Sequence, residues 1–419
     1  MEWFTPVVLG VVVGNLLIAL GCASVGSFAL LRREVLFGDV LAHAALPGIG
    51  LAYLVSRRVE LPILLLGAAV TMGAAVALSR VLQRVTHLAE DLRLGVVLSV
   101  SFGAGIVVLT LLQQWQDPQQ MSLWRFLFGQ AAAVSWNDVV MIAAVVVPVL
   151  AFLALAFKEL VALAFDAEFV RALPLPLRWV EVGFSMALVL VIVVSIQSVG
   201  VVLMVALLVL PPMAARLWVR RVGALVVGAV VVAMVSVLLG VWVSLAVPRV
   251  PTGPVIVTIA ALLGALSHLV APRRGLLARL WDRLRRAVQR WDEHAHKVLY
   301  RLGEERQSWR TAAWRRAAAR ENAPWIALWL WLRGSVRWHP AAGWTATEAG
   351  CRRARRIVRR HRLWELYLER VLGLAPEDVH AEAELVEHVL SAELEAQLEA
   401  MLGYPHHDPH GRPIPPGEP

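Results

Sequence analysis

Asp39 and His43 stand four residues apart at the start of an apolar stretch. On a helix that spacing places them one turn apart on one face. Ionisable side chains are expensive in an apolar region, so a pair of them there carries information. A carboxylate and an imidazole one turn apart suit Mn²⁺, Fe²⁺ or Zn²⁺. Two ligands do not close a site, but a homodimer brings four around a twofold axis. The same spacing also fits a helix start, with Asp39 as a cap and His43 as a packed histidine. Pro47 and Gly48 follow, and both are residues that kink or break helices.

A second group of ligand-type residues lies near the other end of the chain. His361 and Glu365 are four apart. His380, Glu384, Glu387 and His388 recur at helical spacing along one stripe. Such a stripe can hold a divalent ion; a solvated charged face with incidental histidines has the same pattern. His406, His407 and His410 fall in a proline-rich end and read as a tail end with weak metal affinity at most. His268 stands alone near a helix end and reads as interfacial. Gln197 and Ser198 read as polar groups bonding across helices, with lining of a pathway as the alternative. His294 and His296 are two apart, share no helix face, and receive no metal role.

The elements that must position these residues are of two kinds. Hydrophobic residues make up 58% of the 419 and charged residues 17%, with mean hydropathy +0.65. Soluble domains are less apolar and more charged, so a wholly soluble globule is excluded, as is disorder. Two cysteines, Cys22 and Cys351, exclude a disulfide scaffold and a CxxC zinc site. Crossing a bilayer takes roughly 20 apolar residues as helix. Nine runs qualify, near 7–31, 41–56, 63–82, 94–112, 139–157, 183–197, 200–216, 223–247 and 254–270. The stretch 183–216 also reads as one broken unit, which would make eight. The first run is longer than a signal-peptide core and lacks a basic leader, so it reads as a retained span.

Residues 1–270 hold 15 Lys+Arg and 12 Asp+Glu, while the remaining 149 hold 25 and 19. A membrane half, 1–272, is therefore followed by a charged soluble half. Arg32 and Arg33, Arg84 and Arg93, Lys158 to Arg178, Arg216 to Arg221, and Arg273 with Arg274 fall on one side. That side is expected to be cytoplasmic, with Arg57, Arg58 and Arg249 as exceptions. Nine spans then put the tail inside. Residues 273–320 form a basic connector with 14 Lys+Arg against 5 Asp+Glu and interleaved tryptophans. A helix of that kind fits an anionic membrane surface or packs on the tail; nucleic acid is the alternative.

From 321 to 419 the pattern is helical. A short helix covers 323–333, and a long basic one runs from about 349 to 372, ended by Gly373 and Pro376. Helices over 376–390 and 391–402 follow. The expected fold is all-α, a polytopic bundle of eight or nine spans plus a helical tail domain. No GxxxxGK[ST] occurs in the chain, so no nucleotide is expected to bind it.

Three ordered segments resemble the metal-ion ABC transporter permeases of the zinc/manganese/iron type. They are GSFALLRREVLFGDVLAHAALPGIGLAYL (26–54), KELVALAFDAEFVRALPLP (158–176) and SIQSVGVVLMVALLVLPPMAARL (195–217). The resemblance covers about residues 5–270. It implies that Asp39 and His43 bind the ion in a pathway between two permease subunits. It makes 158–182 a loop that docks on a separate ATPase subunit. There Phe165, Phe169 and Leu173 are at helical spacing, with Asp166 beside them. By themselves those residues fit either a protein-docking helix or one lying on the membrane. An extracytoplasmic metal-binding protein is the other implied partner, and a bacterial inner (plasma) membrane the implied location.

The tail carries a second resemblance, to the iron- and manganese-dependent regulators of the diphtheria toxin repressor family. HRLWELYLERVLGL (361–374), HAEAELVEHVLS (380–391) and GYPHHDPHGRPIP (403–415) are similar to their dimerisation and metal-binding region. GWTATEAG (343–350) resembles the wing of the preceding winged helix, so a remnant winged helix is expected. The resemblance assigns Glu384, Glu387 and His388 to one metal site and His361, Glu365 and His380 to another. The recognition helix of these repressors is polar, whereas this chain reads APWIALWLWLRGSV at 323–336. DNA is thus an unlikely partner. The expected function is a permease importing Mn, Zn or Fe with a metal-sensing tail. A membrane-anchored, metal-responsive DNA-binding regulator is the alternative, and a proton-driven carrier a third.

Overall fold

The computed structural model describes residues 5–57, 60–114, 131–132, 134–166, 170, 177–247, 249–272, 274–304, 325–340, 343–375, 379 and 392–417. Phe169, Leu173, His380, Glu384, Glu387 and His388 lie outside the described residues, as does nearly all of the expected helix 376–390. The chain divides into two units, Met1–Arg279 and Leu280–Pro419.

The first unit is helical throughout its described residues. It contains α1 (Pro6–Leu31), α2 (Val35–Ser56), α3 (Leu61–Val85), α4 (Glu90–Gln113), α5 (Trp136–Leu155) and a short α6 (Phe157–Phe165). Then come α7 (Leu177–Arg216), α8 (Val222–Ala246) and α9 (Thr252–Val270). Local chemistry sets several boundaries. Thr5 Oγ1 accepts from the Val8 amide and Pro6 opens α1. Ser135 and Asp138 cap α5 reciprocally, at 3.3 and 2.9 Å. Gly200 interrupts α7 with φ 81° and ψ 169°, a conformation only glycine adopts without strain. Nine candidate spans result among the described residues, and the 183–216 stretch resolves into Leu177–Ile196 and Ser198–Arg216.

Two groups of helices share one core. α1 packs on α5, α7 and α8, while α2 packs on α3, α4 and α7. Ile18, Phe28, Leu41, Ile49, Tyr53, Met72 and Leu188 are fully buried between them. Lipid offers apolar side chains no drive to leave it, so spans associate by close packing of small residues. A Cβ on Gly48 would collide with the Gly67 carbonyl, and one on Gly67 with the Gly48 carbonyl. The backbones of α2 and α3 therefore touch. Outward-facing Val55, Leu66, Val70, Val140 and Val202 are exposed, as a bilayer-facing surface requires. Ser198 bonds back to the Val194 carbonyl of its own helix rather than across helices, and His268 Nδ1 lies 3.0 Å from the Gly264 carbonyl.

The second unit contains most of α10 (Leu276–Glu304), then α11 (Ile326–Leu332), β1 (Val336–His339), β2 (Gly343–Ala346), α12 (Glu348–Arg370) and α13 (Ala392–Met401). β1 and β2 form an antiparallel hairpin pairing Val336 with Ala346. This is the wing expected from GWTATEAG. Thr347 caps α12 through the Gly350 amide and also bonds the Gly334 carbonyl, tying the helix to the end of α11. Ala295, Val298, Leu299 and Leu302 of α10 form a core with Ile326, Leu330, Val336 and Ala354.

The proline-rich end is not a loose tail. The Ile414 amide bonds the His406 carbonyl, and the Asp408 amide the Arg412 carbonyl. Ile414 is buried with Leu363 and Leu366 of α12. Arg359 and Arg362 donate to the carbonyls of Pro415 and Pro413. Proline has no N–H to offer, but its carbonyl accepts like any other, and these two receive the arginine bonds.

Candidate metal sites

α2 positions the first candidate pair. The chain turns between α1 and α2 through Arg33, at φ 62°, and the helix starts at Val35. Asp39 thus lies inside the helix and is not its cap. The helix also runs through Pro47 and Gly48 to Ser56 without ending. Pro47 has no N–H to give to the His43 carbonyl one turn before it, so that oxygen lacks its usual helical donor.

His43 Nε2 stands 3.6 Å from Asp39 Oδ1. The side chains are 29% and 39% exposed, so the pair opens outward from the bundle rather than into its core. Phe102 of α4 meets the imidazole edge-to-face, at 5.2 Å between centroids. His43 Nδ1 is buried and has no hydrogen-bond partner among the described residues. One carboxylate and one imidazole with a free ring nitrogen can each offer a ligand to a divalent cation.

A helix near the cytoplasm-expected end of the bundle carries the second set. α6 buries Leu163 against Val170 and Leu177 and leaves Phe165 72% exposed, with Asp166 just beyond it.

In the tail, α12 brings His361 and Glu365 into contact at 3.0 Å. Lys297 Nζ lies 3.4 Å from His361 Nδ1. An ammonium only donates, so Nδ1 accepts and Nε2–H points at Glu365. The folded-back end adds Asp408 and His410. Ligand atoms of Glu365, Asp408 and His410 lie within 4.8 Å of one another, enough for one ion to reach all three. Asp408 is nearly fully buried. Its Oδ1 accepts the amides of His410 and Arg412, at 2.9 and 2.7 Å. Its Oδ2 has no hydrogen bond among the described residues and is ion-paired with Arg362 Nε at 3.6 Å. A buried carboxylate oxygen left unbonded is costly, and a cation there would satisfy it. The three groups line a cavity of about 610 Å³ with Lys297, Tyr300 and Arg362. The donor set, two carboxylates and an imidazole, fits a divalent transition metal.

Spacing alone did not join Asp408 to Glu365, which stands 43 positions earlier. The signal was the segment 403–415, whose resemblance to the repressors' metal-binding region covers Asp408 and His410 without singling them out as ligands.

A separate buried cluster surrounds Asp292, whose side chain is 5% exposed. Arg353 approaches at 2.7 Å, Trp329 Nε1 at 3.1 Å and Arg333 at 3.4 Å. His296 Nδ1–H donates to the Asp292 carbonyl at 2.6 Å, and its Nε2 then accepts from Ser335 at 2.8 Å. Burial holds the imidazole below its ordinary pKa of 6.5 against the opposing pull of the Asp292 carbonyl. It is a neutral structural histidine.

Residues 5–271 match the ABC 3 transport family. The chain belongs to that family. Residues 347–416 match the metal binding and dimerisation domain of iron dependent repressors. Among curated relatives, the manganese transport system membrane protein MntC of Bacillus subtilis is 37% identical over 282 residues. That match covers 67% of this chain and 65% of the Bacillus protein, so about a third of that relative lies outside it. The zinc transport system membrane protein TroC of Treponema pallidum is 38% identical, covering 66% of this chain and 92% of TroC. The solved structure of PsaBC from Streptococcus pneumoniae with a Fab aligns at TM-score 0.56 and 24% identity. It covers 65% of this chain and 94% of that chain, a likeness of fold.

Proposed function

We propose that this chain is the membrane permease subunit of an ABC importer moving a divalent transition metal, manganese, zinc or iron, into the cytoplasm. The observation that carries the reading is the Asp39–His43 pair, open on one face of a span that lies in the family-matched region. A second permease copy facing it would complete the coordination with its own pair. The His43 carbonyl, lacking a helical donor because of Pro47, offers a further oxygen.

ATP hydrolysis belongs to a separate subunit, since this sequence has no phosphate-binding GxxxxGK[ST] loop. Phe165 at the end of α6 and Asp166 just after it, with Phe169 and Leu173 further along the sequence, are the proposed docking residues. Metal delivery falls to an extracytoplasmic binding protein, and the Lys/Arg distribution puts the tail in the cytoplasm.

The tail is proposed to sense the same class of ion. Glu365, Asp408 and His410 would hold one ion. Bound there, it would bridge α12 to the chain end and neutralise the Asp408 and Glu365 carboxylates. His361 would orient Glu365, and His380 is assigned to the same site by the repressor resemblance, which gives Glu384, Glu387 and His388 to a second, separate ion. Feedback on transport requires the tail ion to bind two transporter states with different affinity. The alternative reading, a DNA-binding regulator, is disfavoured because α11 exposes Trp325, Leu328 and Trp331 where a polar helix is needed.

The deciding experiment is ATP-dependent ⁵⁴Mn and ⁶⁵Zn uptake into proteoliposomes holding this chain with its ATPase. Wild type is compared with Asp39→Ala and His43→Ala. Loss of uptake in both variants, with assembly intact, supports the pathway. Unchanged uptake in both makes the pair structural. No uptake by an assembled wild-type complex refutes the transport reading.

A further inference from the structure

α10 carries one apolar stripe along its whole length, but only half of it is covered. At the C-terminal end Ala295, Val298, Leu299 and Leu302 are buried in the tail core. At the N-terminal end Leu276, Leu280, Trp281, Leu284, Val288 and Trp291 continue the same stripe and are 41% to 68% exposed. At 100° per residue these six fall within about 140° of arc. Arg279, Arg285, Arg286 and Arg290 lie on the remaining polar arc, all exposed, and Arg283 borders the stripe.

Two observations select the occupant. The first is continuity: α9, the ninth candidate span, ends at Val270, and α10 starts six residues later at Leu276. The stripe therefore begins within a few residues of the bilayer surface. The second is charge. A polar face rich in arginine and poor in acid matches anionic lipid headgroups, and leucine with tryptophan is the composition of helices lying at the headgroup boundary.

We infer that residues 276–291 form an interfacial helix, lying in the anionic headgroup layer with Trp281, Leu284 and Val288 turned into the lipid. The buried half of the same stripe continues directly into the tail core. The helix thus links the tail's packing to the membrane surface, independently of which metal the chain carries.

The test uses the full chain in nanodiscs containing phosphatidylglycerol. A spin label is placed at Leu284→Cys, on the apolar side, or at Gln289→Cys, on the polar side, in a Cys351→Ser background. Cys22 is fully buried and left in place. The ratio of oxygen to water-soluble nickel-chelate collisions is expected to be several-fold higher at 284 than at 289. Val288→Cys repeats the apolar-side measurement in case the first label disturbs the helix, and should behave as 284 does. Equal ratios on the two sides overturn the inference. A label at 284 protected from both reagents, with a short spin–spin distance between copies, also overturns it. That result assigns the stripe to a second copy of the chain. Protection at 284 that appears only on adding duplex DNA assigns the helix to nucleic acid instead.

Discussion

Gly48→Ala tests whether the close approach of α2 and α3 holds the metal pair in place. Gly48 lies five residues beyond His43 on α2. An added methyl there collides with the Gly67 carbonyl and with Thr71 Oγ1, which itself sits over that carbonyl. Neither is the free end of a flexible chain, so the helices must separate. Overpacking of this kind costs about 1–3 kcal/mol. Replacing glycine by alanine inside a helix returns up to about 1 kcal/mol. Gly73→Ala on α3 supplies the control, because a Cβ there meets nothing within 4 Å. Both variants gain the same helix propensity, so their difference isolates the steric cost of about 1–3 kcal/mol. At about 2–4 °C per kcal/mol for a large domain, the midpoints should separate by about 2–12 °C, Gly48→Ala being lower. Heating the detergent-solubilised proteins and following the monodisperse fraction measures this. Metal uptake should fall in Gly48→Ala and persist in Gly73→Ala. Equal midpoints and equal uptake would refute the reasoning.

Asp292→Ala leaves the Trp329 N–H without its acceptor and lets the half-exposed Arg353 and Arg333 return to water, and should cost about 1–3 kcal/mol of tail stability. Faster proteolysis at the tail, with the spans still intact, would show it. His296 binds a proton more weakly folded than unfolded, so the unfolded state takes up more protons below its ordinary pKa of 6.5. Tail stability is therefore fully present above pH 6.5 and falls as the pH drops below it. Hydrogen exchange of the Val298 and Leu299 amides should report that loss, and His296→Gln should flatten it. Asp408→Ala, in a chain already carrying Asp39→Ala and His43→Ala, should lower Mn²⁺ or Zn²⁺ retained after desalting. An unchanged metal content would remove Asp408 from the tail site.

Length and hydropathy alone placed the nine spans, because a bilayer imposes one helix length and satisfies no backbone groups. The i, i+4 pairs Asp39/His43 and His361/Glu365 were legible for a related reason: helical geometry is local, so spacing predicts proximity. So was the long helix near 349–372, ended by Gly373, whereas the hairpin preceding it was expected only from the resemblance of GWTATEAG to a wing. The continuity of α2 through Pro47 and Gly48 was not legible. Neighbouring helices, by packing on both sides, hold a segment that its own residues would allow to break. Nor was the joining of Glu365 to Asp408 and His410. That depends on a proline-rich segment folding back onto α12 through carbonyls that Arg359 and Arg362 capture. Likewise, the two halves of the α10 stripe are identical in pattern, and only the presence or absence of Ile326, Leu330 and Val336 distinguishes buried from bare. Periodicity states which residues share a face; what covers that face is decided by chain brought from far away.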